Sequence, residues 1–255
     1  MARFVLVHGA FGSARVWERV APGLRAAGHE VEAVDLPGSR DDDTPVAEVS
    51  LARYGERVCE RLAAGPPALL VGHSMGGMAI TQAAARRPDL IAALVYVAAF
   101  LPAPGESLIS LTQRPEAGDD QVQANLVVSG DPPVATMSPE AARRSTCQLA
   151  TDEQAVWGEA RKGPQPVIPF TQPLTVDPGA AGAFAALPRA YIMTLQDWAI
   201  WPDLQRFMAE RAGCDPVLEI DTDHSVWLTA PGELAAALLS VTPTLLERRS
   251  VETAP

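Results

Sequence analysis

Basic side chains are scarce in this chain, and lysine is almost missing: Lys162 is the only one. Twenty Lys and Arg stand against thirty-one Asp and Glu, a net charge of −11 over 255 residues. A surface that neutralises phosphates needs the opposite balance, so neither nucleic acid nor an anionic membrane is expected as a partner. Cysteine is sparse too. Cys59, Cys147 and Cys214 are odd in number, far apart and without a CxxC pair. They make no disulfide framework and fit a reducing, cytoplasmic setting as small hydrophobes. The histidines are His8, His29, His73 and His224, with no pair at zinc-ligand spacing, and there is no GxGxxG after the first strand and no P-loop lysine. No metal and no cofactor are therefore expected. No stretch of eighteen apolar residues occurs, and the run Phe4–Val7 is too short for a signal peptide, so no membrane span or leader is expected.

What the chain has is apolar material: 47% hydrophobic residues against 20% charged, enough for a substantial core. Strand-like and helix-like segments alternate. Phe4–Val7, Val31–Leu36, Ala68–Val71 and Ile91–Val97 read as buried strands. Trp17–Ala27 (with Gly28 as C-cap), Leu51–Ala64 and Met75–Arg86 have helical spacing. Regular alternation returns at Ala190–Leu195 (strand), Pro202–Ala212 (helix), Val217–Ile220 (strand) and Glu233–Leu246 (helix), with a frayed tail expected from Glu247. Between them, residues 100–188 hold many prolines and weak periodicity, with Glu140–Arg161 the most helical part. That length is too great for a loop, so a helical cap insert (100–188) is expected within a core made of 1–99 and 189–255. Six strands alternating with helices predict an α/β fold with a mostly parallel, doubly wound sheet, and a site at its carboxyl edge. The run Asp41-Asp42-Asp43 reads as a solvated loop.

Gly72-His73-Ser74-Met75-Gly76 is a G-x-S-x-G sequence between a predicted strand and a predicted helix. In that context Ser74 sits on a tight turn with its hydroxyl exposed, and the helix N-terminus favours developing negative charge. A serine nucleophile needs a base, and His224 is the only histidine after the elbow. The acid should follow a strand between the two. Asp197 does, whereas Asp203 falls in a helix and Asp221 and Asp223 are too near His224 in sequence. Two backbone N–H donors should form an oxyanion hole: Met75, and Ala10 in the loop after the first strand, with Phe11 as second choice. Gly9 and Phe11 in that loop are the expected substrate contacts. His8 reads as a brace of that loop, His73 as a packing neighbour of the serine, and Trp198, Trp201 and Trp227 as packing residues.

These stretches resemble the α/β-hydrolase superfamily, and more narrowly the branch of plant methylesterases and hydroxynitrile lyases. Phe4-Val5-Leu6-Val7-His8-Gly9-Ala10, Gly72–Gly77, Tyr96–Pro102 and Asp223-His224 carry the resemblance. It implies an α/β-hydrolase fold and a choice between two chemistries. The lyases have a threonine where this chain has Gly9 and a lysine where it has Ser225. The resemblance therefore implies an open oxyanion hole and an esterase-like enzyme. The expected function is a serine hydrolase acting on a small-molecule carboxylic ester or lactone through an acyl-enzyme. The alternatives are a biosynthetic tailoring enzyme (cyclase, acyltransferase or C–C lyase) with the same triad, or a low-turnover ligand receptor. A homodimer stays open.

Overall fold

The turns that follow the strands decide where the chemistry sits. The computed structural model describes residues 1–252, with side chains through Ser250. The first part of the chain forms β1 (Arg3–Val7), α1 (Ala21–Ala26), β2 (Glu30–Val34), α2 (Leu51–Leu62), β3 (Ala68–His73), α3 (Gly76–Arg86) and β4 (Ile91–Val97). The insert adds α4 (Leu108–Thr112), β5 (Val127–Ser129), β6 (Val134–Thr136), α5 (Pro139–Thr146), α6 (Asp152–Glu159), β7 (Gln165–Pro166), α7 (Ile168–Thr171) and α8 (Ala181–Ala185). The chain then completes β8 (Arg189–Thr194), α9 (Pro202–Arg211), β9 (Val217–Ile220), α10 (Val226–Thr229) and α11 (Pro231–Glu252).

Six strands make one parallel sheet in the order β2-β1-β3-β4-β8-β9. β1, β3 and β4 are buried at every position, which is why they read as unbroken apolar runs. Alternate side chains go to opposite faces. Val5, Val7, Leu70 and Tyr96 pack with Tyr54 and Val58 of α2 and Ile80 of α3. Phe4, Leu6, Val71 and Val95 pack with Leu24 of α1 and Leu234 and Leu238 of α11. Each such fully buried side chain contributes ~1.5–3 kcal/mol of transfer free energy. The strand order reverses between β1 and β3, and ligands bind in open α/β sheets at such switch points.

Several expectations need correction. The predicted helix Trp17–Ala27 is a 3-10 turn over Ala14–Arg19 followed by α1, because Pro22 lacks the N–H that would continue the earlier turn. Glu140–Arg161 is broken where Thr151 and Gln154 form a capping box that starts α6 afresh. The tail does not fray at Glu247: α11 continues to Glu252, and Arg248 pairs with Asp215. Residues 253–255 lie outside the described part. Of the acidic run, Asp41 and Asp43 are exposed as read, but Asp42 is engaged: it accepts the Gly38 and Thr44 amides and pairs with Arg57 at 2.7 Å. The insert is not purely helical: β5, β6 and β7 form an antiparallel sheet. Its buried Leu108, Leu111 and Phe170 belong to the same hydrophobic cluster as Val7 and Tyr96. Among the described residues no helix is long and apolar enough to cross a membrane.

Candidate active site

Ser74 is the single residue between His73, which ends β3, and Met75, which caps α3. Its φ is +53°, a left-handed conformation that costs a non-glycine residue ~1–3 kcal/mol. Neighbouring backbone holds it there: Ser74 N–H donates to the Val97 carbonyl at 3.3 Å. The turn closes only because its glycines lack side chains. A Cβ on Gly76 would lie 2.7 Å from the His8 carbonyl oxygen, and one on Gly77 would lie 2.0 Å from that of Phe100.

The Ser74 hydroxyl lies 2.9 Å from His224 Nε2, and His224 Nδ1 lies 2.8 Å from Asp197 Oδ2. Asp197 directly follows the β8 turn, and all three groups are nine-tenths or more buried. The carboxylate also accepts from Thr194 Oγ1 (2.8 Å), Gln205 Nε2 (3.0 Å) and the Ala199 and Ile200 amides (2.8 Å each). With these four donors besides the imidazole, the Asp197 oxygens act only as acceptors. An ionised carboxylate can only accept, so Nδ1 carries the proton and Nε2 is left to accept from Ser74. The neighbouring Asp223 points elsewhere.

Two more histidines brace this arrangement, His73 by a hydrogen bond beyond the packing role read for it. His73 Nε2–H donates to the His224 carbonyl at 2.9 Å, and the rings lie 4.8 Å apart. Burial, then the charge His224 would carry, pushes the His73 pKa well down. His8 Nδ1–H donates to the Gly9 carbonyl at 2.8 Å while Nε2 accepts the Leu36 amide at 3.1 Å. Burial lowers its pKa as well. Both rings are neutral braces.

The amide directions follow from peptide planarity. In a trans peptide the C=O and the next N–H point opposite ways. The Ser74 carbonyl accepts the Gly77 and Phe100 amides at 3.0 and 3.1 Å. The Gly9 carbonyl accepts His8 Nδ1–H and the Gly12 amide, at 2.8 and 3.3 Å. The Met75 and Ala10 N–H groups are thereby turned the other way, and both residues border the cavity over Ser74. Among the described residues neither amide has a protein acceptor. Phe11, the second choice, is excluded as a donor because its N–H is spent on Gln165 Oε1 at 3.1 Å.

The cavity has a volume of about 220 Å³. Gly9 and Phe11 line it with Ser74 and His224, while Asp197 sits behind the imidazole. The walls are mostly apolar, from Phe100, Leu108, Phe170 and Ile200. Trp227, Lys162 and Asp120 are among the lining residues that were not anticipated. Trp227 reaches the cavity while packing edge-on against His73 at 6.3 Å. Lys162 and Asp120 come from the insert, where weak periodicity gave no signal for them. Lys162 lies 3.8 Å from Glu159, which balances its charge. Burial pushes the Asp120 carboxyl up. Trp198 and Trp201 are elsewhere: Trp198 is exposed, and Trp201 packs over Gly118. The three thiols are free, and burial raises all of them, Cys214 to about 12, so none is poised as a nucleophile. Among the described residues no cluster of three His, Cys, Asp or Glu could hold a metal.

The model of the alpha/beta hydrolase family matches residues 4–237. The chain belongs to that family. Within it, the relatives are of the methylesterase and hydroxynitrile lyase branch. The chain is 30% identical over 249 residues to methyl jasmonate esterase 1 of Vitis vinifera, covering 93% of this chain and 95% of that one. It is 31% identical over 252 residues to the alpha-hydroxynitrile lyase of Arabidopsis thaliana, covering 93% and 96%. The crystal structure of polyneuridine aldehyde esterase superposes with a TM-score of 0.82 at 25% identity, covering 95% of this α/β hydrolase and 99% of that chain.

Proposed function

We propose that this α/β hydrolase cleaves carboxylic esters or lactones of small to medium size through an acyl-enzyme on Ser74. One observation carries the reading: an unbroken Ser74–His224–Asp197 hydrogen-bond relay beside two unpaired amides in an apolar cavity. Ser74 Oγ attacks the carbonyl carbon as its proton passes to His224 Nε2. The tetrahedral oxyanion takes hydrogen bonds from the Ala10 and Met75 amides. Collapse expels the alcohol, which leaves with the proton from Nε2. A water then attacks the acyl-enzyme with His224 again as base, and the acid departs. Asp197 holds the tautomer and stabilises the imidazolium. The insert serves as a cap whose apolar wall selects the acyl or alcohol group.

Lyase chemistry is disfavoured although one relative is a lyase. Ser225 follows His224 and brings no positive charge, and the lysine that does border the cavity is balanced by Glu159. The test is a panel of methyl and p-nitrophenyl esters and lactones of graded size, run with wild type and Ser74→Ala. Hydrolysis by the wild type alone supports the reading. Hydrolysis by both removes it.

A further inference from the structure

The loop that carries Ala10 is held by the insert. Phe11 has φ +64°, a conformation non-glycine side chains rarely adopt, and both of its backbone polar groups are fastened. Its N–H donates to Gln165 Oε1 at 3.1 Å, and its carbonyl accepts the Gly163 amide at 2.8 Å. Gln165 lies in β7 and is 3% exposed. Its Nε2 donates to the Pro166 carbonyl at 2.9 Å and to the Tyr54 hydroxyl at 3.0 Å. A carbonyl can only accept, so the amide nitrogen must face Pro166 and the amide oxygen must face Phe11. The side chain is thus oriented, buried and wholly engaged.

We infer that Gln165 is a positioning residue of the oxyanion hole. The inference rests on the hydrolase reading above. Ala10 lies between two pinned peptide planes: the Gly9 carbonyl is held by His8 and Gly12, and the Phe11 N–H is held by Gln165. The first pin aims the Ala10 N–H, and the second stops the next peptide from rotating. Without an acceptor, the Phe11 N–H gains by turning toward another partner, and Phe11 relaxes from its left-handed conformation as it does so. That rotation swings Ala10. An oxyanion donor acts through its preset distance and direction, so the loss falls on the transition state and not on ground-state binding.

The test compares Gln165→Met, which keeps the volume but has no amide oxygen, with Gln165→Glu, whose neutral carboxyl keeps an oxygen for Phe11 and an O–H for the Pro166 carbonyl while Tyr54 reverses to donate. kcat and KM are measured with the best ester of the panel, and Ki with a trifluoromethyl ketone, whose Ser74 adduct places an oxyanion in the hole. Gln165→Met is expected to lower kcat on the order of tenfold, less than the ~10²–10³ for outright loss of a donor. KM should stay within about twofold, the ketone Ki should weaken with kcat, and Gln165→Glu should recover most of the loss. Raised KM at unchanged kcat, or a Glu variant as impaired as Met, overturns the inference and leaves Gln165 a fastener of the insert. If Gln165→Met does not fold, Tyr54→Phe, which removes one of the two acceptors orienting Gln165, decides: a smaller fall in kcat at constant KM supports the inference, and no change overturns it. Fluorophosphonate labelling of Ser74 in the wild type separates the two levels. With labelling intact, an unchanged kcat counts against Gln165 alone; without it, the hydrolase reading falls first.

Discussion

Asp223, next in sequence to His224, turns away from the imidazole and accepts the Leu149 amide at 2.8 Å. Its other oxygen accepts from Thr229 Oγ1 at 2.8 Å, and burial pushes its carboxyl up. Asp223 therefore ties the catalytic loop to the insert, and Asp197 alone serves the imidazole. Asp197→Asn is expected to lower kcat by up to ~10⁴ by presenting the wrong tautomer. Asp223→Asn should keep kcat within a few-fold and cost about 1 kcal/mol of stability. Ester kinetics and urea melts of both variants check this, and the reverse ranking would move the acid to Asp223.

The elbow glycines give a contrast in stability. Gly77→Ala would drive a methyl to 2.0 Å from the carbonyl of Phe100, the residue whose amide also holds Ser74. A loss above ~3 kcal/mol is expected, with activity falling alongside. Gly182, in α8, has nothing within 4 Å of the added carbon. Gly182→Ala should stabilise by up to ~1 kcal/mol through helix propensity alone. Denaturant midpoints of the pair test the assignment of close approach.

Stability should fall with acid through His8 and His73, whose pKa values burial depresses. Below the unfolded value of ~6.5 the unfolded chain takes up protons that these buried rings refuse. Their contribution is complete above that value and drains as pH falls toward the folded values, by up to ~1.4 kcal/mol per pH unit per ring. Protonated His8 could no longer accept the Leu36 amide. His8→Gln keeps one donor and one acceptor without titrating, so its urea midpoint should vary less between about pH 7.5 and pH 5.5. Equal slopes in wild type and variant would contradict this.

Cyanohydrins should not be cleaved above background, because departing cyanide meets Ser225 and not a cation next to His224. Robust cyanide release from mandelonitrile, lost in Ser74→Ala, would place the protein with the lyases. The change Gly9→Thr alone is not a clean probe: a Cβ there would lie 2.8 Å from Ser74 Cβ and 3.0 Å from His73 Nδ1. It should depress ester hydrolysis by displacing the nucleophile as well as by filling the hole.

The sheet and the relay were legible because each part carries a signal in its own short stretch of sequence, although Ser74 and His224 meet across 150 positions. Gly76 and Gly77 stand in one short motif with Ser74, His224 is the only histidine beyond the elbow, and Asp197 follows a strand whose apolar run is plain. The insert was not. Its strands are three residues or fewer, too short to show a period of two. Gln165 meets Phe11 across 154 positions and Tyr54 across 111, so nothing near it in sequence marks its task. Lys162, Asp120 and Trp227 reach the cavity by the same long-range folding.

Mapping the site of a fluorophosphonate adduct tests the central claim most directly. The intact protein is labelled, digested and sequenced by mass spectrometry, with ester turnover followed in parallel. One adduct per chain is expected, on the peptide containing Gly72-His73-Ser74-Met75-Gly76, with turnover lost in proportion. Ser74→Ala should take up no label and show no hydrolysis while keeping its melting transition. Labelling at another serine, or turnover that persists in Ser74→Ala, would contradict the account.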